Sequence, residues 1–210
     1  SDVVGVATPM SDWVRTSTSP SDLAVAGAES VASALTYPGQ ICTLIAPGDH
    51  AWTDGAKVSA SVTPPETERP KSAEIKEAAT LLKSSGQSAL FLGGRALRED
   101  ALFHAGRIAA ATGARLICET LPARLQRGAG RVEVERLPYF AEMATECLSD
   151  LEQMIFIGAK PPVAFFAYPG KPSWLSPRSA TLFEFHKTSI DAESTLRRLA
   201  DELAAPASPK

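Results

Sequence analysis

Three apolar runs, residues 41–46 (broken only by Thr43), 89–92 and 154–157, each follow a stretch whose apolar residues recur at helical spacing. A strand with one wet face alternates polar and apolar residues. An unbroken run is instead covered on both faces, the arrangement of a parallel sheet whose crossovers are helices. The intervening helices carry their own punctuation. Ser19-Pro20-Ser21-Asp22 offers a serine cap, a proline at the first helical position and an acid reaching back, and Tyr37-Pro38-Gly39 stops the helix that follows. Residues 72–83 set Ile75, Ala79 and Leu82 on one side, residues 98–112 close on Gly113, and residues 138–148 form a fourth helix. Asp191 caps the last, with Leu196, Leu199 and Leu203 facing inward. Strands at 115–118 and 180–185 and a short one at 3–7 complete the reading. Alternation of this kind predicts an α/β fold, a Rossmann-like doubly wound parallel sheet preceded by a partial α/β segment.

The prolines divide the chain. Pro64, Pro65 and Pro70 lie among Thr, Glu and Ser, so residues 55–70 read as an extended linker between a segment at 1–54 and a domain at 71–204, with 205–210 a disordered tail. A formal net charge of -3 gives no basic footprint for nucleic acid. No apolar run approaches the roughly 20 residues that span a bilayer, so no membrane partner is expected. Cys42, Cys118 and Cys147 are odd in number, widely spaced and set in apolar runs, the pattern of free buried thiols and of a reducing cytoplasm.

Two places could hold a cofactor. Gly93-Gly94-Arg95 follows a buried strand and precedes a helix, where an open α/β sheet takes a phosphate or nucleotide at its carboxyl edge; a plain strand-to-helix turn is the other reading, since Ala96, Leu97 and Arg98 do not complete a three-glycine fingerprint. Gly158 and Lys160 open a stretch of proline and aromatic residues, Pro161, Pro162, Phe165, Phe166, Tyr168 and Trp174 among them. A loop this long walls a site or docks on a neighbouring surface. Asp49, His50 and Trp52 follow a strand, but no serine or cysteine elbow accompanies them, and His104 and His186 lack the spacing of a metal site. Arg124, Arg127, Arg131 and Arg136 form a basic loop that reads as solvated or as an interface. No residue is assigned as catalytic or metal-binding.

The segments ICTLIAPGDHAWTDGA, LPARLQRGAGRVEVERLPY and IGAKPPVAFFAYPGKPSWL, in this order, resemble thiamine-diphosphate-dependent enzymes of the acetolactate synthase large-subunit type, relatives of the benzoylformate decarboxylases. In that family a pyrimidine-binding domain, a central Rossmann-like domain and a diphosphate-binding domain follow one another. The resemblance implies that 1–54 is the end of the first and 71–204 the whole of the second, with the pyrimidine- and diphosphate-binding domains of the same enzyme as its partners. It further implies a homo-oligomeric parent, because the cofactor of such enzymes lies between subunits.

The resemblance implies thiamine diphosphate and Mg2+ for the parent but not on these residues. The acid that protonates the aminopyrimidine lies upstream of anything matched here. The metal motif, Gly-Asp-Gly followed by Asn, cannot be completed in a sequence that contains no asparagine. Acetolactate synthases proper carry FAD on the central domain; the strand end Phe183-Glu184-Phe185-His186-Lys187 lacks the acidic pattern of a flavin-binding member, which speaks against FAD. The expected role is that of a scaffold, inert when isolated. The alternative is a stand-alone module holding ADP or FAD at Gly93, Gly94 and Gly158.

Overall fold

The computed structural model describes residues 1–185 and 190–209. The chain divides into two units, Ser1–Thr67 and Glu68–Lys210.

In the first unit, α1 (Val3–Ala7) stands where the sequence suggests a strand. The Asp2 carboxylate accepts the Gly5 N–H at 2.8 Å, and this cap starts a helical turn despite three β-branched valines. The strand is instead β1 (Trp13–Thr16), too short for its alternation to stand out. It is followed by α2 (Pro20–Leu35), β2 (Cys42–Ile45) and α3 (Gly48–Trp52). As its sequence predicts, α2 starts at Ser19, whose hydroxyl accepts the Asp22 N–H at 3.1 Å. Arg15 of β1 then ties strand to helix, reaching Asp22 at 2.6 Å and also Glu29. β1 and β2 run parallel, Trp13 beside Cys42 and Thr16 beside Ile45. Every residue of β2 is only half-buried, because two strands and one long helix cannot cover both faces of the apolar run.

The second unit comprises α4 (Ser72–Lys83), β3 (Gln87–Leu92), a 3-10 turn (Gly94–Leu97), α5 (Glu99–Thr112), β4 (Arg115–Cys118), β5 (Glu135–Arg136), α6 (Ala141–Leu148), β6 (Leu151–Ile157), β7 (Thr181–Glu184) and α7 (Ala192–Glu202). Its five strands are all parallel in the order β5-β4-β3-β6-β7. The period-two geometry of a strand explains how the unbroken apolar runs are used. Leu90, Leu92, Leu116, Cys118, Ile155 and Ile157 face a core closed by α4, α5 and α7. Ala89, Phe91, Ile117, Met154 and Phe156 face the opposite one, closed by α6. The sheet is doubly wound, as the alternation predicts. Each fully buried Leu, Ile or Phe contributes about 1.5–3 kcal/mol of transfer free energy, and Phe91 and Phe156 add a tilted ring pair at 5.4 Å.

Local chemistry sets the ends. Gly113 takes φ +75 and its N–H donates to Ala109 O, the left-handed stop of α5. Asp191 accepts the Ser194 N–H at 3.0 Å at the start of α7. α6 begins three residues later than its sequence suggests, because residues 135–137 extend along the sheet and the Leu137 N–H donates to Cys118 O at 3.0 Å. Residues 205–209, read from the sequence as a frayed tail, run beside α5: Arg107 donates to Pro206 O at 2.7 Å. Lys210 lies outside the described residues.

Candidate functional site

The connections of the second unit diverge between its two central strands. From β3 the chain moves to β4 and β5 on one side, and β6 and β7 lie on the other. Such a switch point, at the carboxyl ends of the strands, is where open α/β sheets place ligands. The structure brings Gly93, Gly94 and Gly158 together there. The Gly93 N–H donates to Ile157 O at 3.0 Å. A Cβ on Gly93 would run into the carbonyl oxygen of Gly158 and would lie 2.9 Å from the Ala159 Cβ and 3.0 Å from Glu119 Oε1. A Cβ on Gly158, whose φ is +69, would meet Gly93 O at 2.5 Å. These glycines exist because two backbones touch. Gly94 and Arg95 open the 3-10 turn and are exposed, and Lys160 is exposed two residues beyond Gly158.

Glu119 completes this edge. It follows β4 directly, half-buried, and burial alone pushes its carboxyl above the usual carboxylate range, with no cation offsetting it. An acid just after the second strand of a strand–glycine–helix–strand unit was the signal that could have found it.

The aromatic stretch after Gly158 is a folded hairpin rather than a structureless loop. Val163 bridges antiparallel to Trp174, the Ala164 N–H donates to Ser173 O at 2.8 Å, and the Leu175 N–H donates to Pro162 O at 3.2 Å. Tyr139 stacks on Phe165 with centroids 5.2 Å apart and planes 16° from parallel. Phe166 and Tyr168 extend the group, and Lys171 pairs with Glu142 at 2.6 Å. Together they line a cleft of about 430 Å3, with every one of these rings still partly exposed.

In the first unit Ser17 Oγ and His50 Nδ1 share a hydrogen bond at 2.8 Å, and Asp49 Oδ2 lies 3.9 Å from His50 Nε2. Ser17 is 2% exposed, so no substrate reaches its hydroxyl. The trio ties the carboxyl end of β1 to α3. His104 accepts from Arg107 at 3.1 Å; burial first, and then the Arg107 charge, holds its pKa below the ordinary histidine value. Of the basic loop, Arg131 pairs with Glu99 at 2.8 Å and Arg136 joins β5. Cys118 is buried, whereas Cys42 and Cys147 are half-buried, and all three are free. Among the described residues no group of three His, Cys, Asp or Glu could hold a metal ion, and no helix is long and apolar enough to cross a membrane. His186 and Lys187, part of the strand end weighed against flavin, lie outside the described residues.

This architecture is shared with thiamine-diphosphate-dependent enzymes. A thiamin diphosphate-dependent enzyme isolated from Mycobacterium smegmatis, so named provisionally, superposes with a TM-score of 0.76 at 20% identity, over 100% of this chain and 43% of that one. The 4-hydroxybenzoylformate decarboxylase of Rhodococcus jostii RHA1 matches at 0.72 and 18% identity, over 100% of this chain and 42% of that one. Benzoylformate decarboxylase from Polynucleobacter necessarius also matches at 0.72 and 18%, over 96% of this chain and 40% of that one. These likenesses establish the fold.

The sequence relationship is more particular. The chain is 41% identical over 204 residues to the Mycobacterium tuberculosis protein named acetolactate synthase large subunit IlvX, a name that marks its own assignment as provisional. The match covers 97% of this chain and 39% of the relative's length. No family model matches. The chain is thus acetolactate-synthase-like in sequence and has the fold of a thiamine-diphosphate enzyme region, the resemblance its motifs suggest.

Proposed function

We propose that this chain forms the central scaffold of a thiamine-diphosphate-dependent enzyme that decarboxylates or joins 2-keto acids, and that it performs no chemistry by itself. The observation that carries this reading is the 41% identity along 97% of the chain to a protein named as an acetolactate synthase large subunit. The fold supports the same role. Residues 1–54 correspond in this reading to the end of a pyrimidine-binding domain, 55–70 to a linker and 71–204 to the central domain. The partners are the pyrimidine- and diphosphate-binding domains of the same enzyme, assembled as a homo-oligomer in the cytoplasm, where free thiols persist.

The described residues do not fit thiamine diphosphate and Mg2+. A hard cation needs about six oxygen ligands; the described residues offer no acidic cluster, and the sequence has no asparagine to complete the metal motif. The cofactor belongs to the other domains in this reading, and no step is assigned to residues here. Gly93, Gly94, Arg95, Gly158 and Lys160 shape the sheet's carboxyl edge, which faces the partner domains. The test is CO2 release from pyruvate and from benzoylformate in the presence of thiamine diphosphate and Mg2+. The chain alone should be inert and the polypeptide of the whole reading frame active. Turnover by the chain alone, or none by the longer polypeptide, contradicts the reading.

A further inference from the structure

The resemblance to acetolactate synthases implies a flavin dinucleotide along the carboxyl edge of the five-stranded sheet. A dinucleotide needs room for its pyrophosphate at the switch point, free N–H groups at the start of the following helix, and no uncompensated negative charge beside them. Here the chain's own residues bear on each of the three.

At the switch point, the backbones of Gly93 and Gly158 lie against each other so closely that neither tolerates a Cβ, and the Gly93 N–H is spent on Ile157 O. At the start of α5, the Glu99 N–H donates to Gln126 Oε1 at 2.5 Å, and the Gln126 N–H in turn donates to Leu97 O at 3.1 Å. This side chain occupies one of the helix-start N–H groups that a phosphate oxygen would use. The first turn of α5 also carries two acids, Glu99 and Asp100, and Glu99 pairs with Arg131 at 2.8 Å. Beside Gly93 stands Glu119, half-buried and without a hydrogen-bond partner among the described residues. Of the cations near this edge, Arg95 already interacts within the chain, Lys160 is exposed, Arg98 stands at the start of α5 and Arg136 lies beside Cys118 in β5.

We propose that Glu119 and Gln126 exclude the pyrophosphate of a dinucleotide from this edge, so that the sheet carries no FAD. The exclusion is a property of these side chains and stands or falls separately from the scaffold role. Calorimetry with ADP and flavin fluorescence polarisation with FAD test it on the purified chain. The wild type should show no saturable binding at about 1 mM of either ligand, the weak end of specific affinity. The variant Glu119→Gln with Gln126→Ala, its circular dichroism matching the wild type, should bind ADP at least roughly tenfold more tightly, because a like charge and a competing acceptor are gone. Should the double variant fold poorly, Glu119→Gln alone serves for the same comparison. Stoichiometric binding of FAD or ADP by the wild type below about 1 mM overturns the proposal. So does a folded variant with no gain, since these two residues would then not be what excludes the ligand.

Discussion

Replacing Gly93 by alanine isolates the close approach of β3 and β6 on which the sheet's carboxyl edge depends. The backbone φ of Gly93 is -144, which any residue adopts, so the substitution carries no conformational penalty and its whole cost is steric. The new methyl group would overlap Gly158 O and lie 2.9 Å from the Ala159 Cβ and 3.0 Å from Glu119 Oε1. Glu119 can swing aside. The carbonyl of Gly158 and the Cβ of Ala159 are backbone-fixed, at the end of a strand paired along its length, so relief requires β6 to shift against β3. Overpacking of this kind costs about 1–3 kcal/mol, and rigid neighbours place this case near 3. Gly113→Ala is the matched control: its φ of +75 strains an alanine, but nothing lies within 4 Å. That costs only the left-handed penalty of about 1–2 kcal/mol. In urea unfolding followed by far-UV circular dichroism, a slope near 2 kcal/mol/M converts about 3 kcal/mol into a midpoint lowered by roughly 1.5 M. A Gly93→Ala midpoint no lower than that of Gly113→Ala would refute the crossing argument.

Other substitutions probe the same unit. Burial holds the Glu119 carboxyl above its unfolded value, so between the two values the folded chain binds more protons and loses stability as pH rises. Glu119→Gln should therefore raise the urea midpoint at neutral pH and leave it unchanged near pH 3.5, below the ordinary carboxylate range of about 4.3; a gain of equal size at both would show that the charge is not the cause. Leu199 is 0% exposed on α7, in the core shared with α4 and α5. Leu199→Ala should cost about 2–5 kcal/mol, and a loss under about 1 kcal/mol would mean that α7 is not a core helix.

The second unit was legible in the sequence because its signals are local and redundant. Ala89-Leu90-Phe91-Leu92 and Met154-Ile155-Phe156-Ile157 need cover on both faces, and the capped helices between them supply it. β5 was illegible: Glu135 and Arg136 carry no strand pattern and are ordered by pairing with Ile117 and Cys118 of β4. α1 was misread because three valines favour a strand until Asp2 caps the turn. At the candidate site the glycines stood out through their position after a strand. Glu119 was marked only by its place directly after β4, and Gln126 by nothing, since its importance arises where the segment after β4 folds back beside Glu99.

Whether this chain is a scaffold is tested most directly by titrating it with thiamine diphosphate in the presence of Mg2+, calorimetrically. A scaffold should give no saturable heat, since no group of three His, Cys, Asp or Glu stands ready for the metal among the described residues. A stoichiometric complex in the micromolar range would contradict the scaffold role and place the coenzyme on this chain.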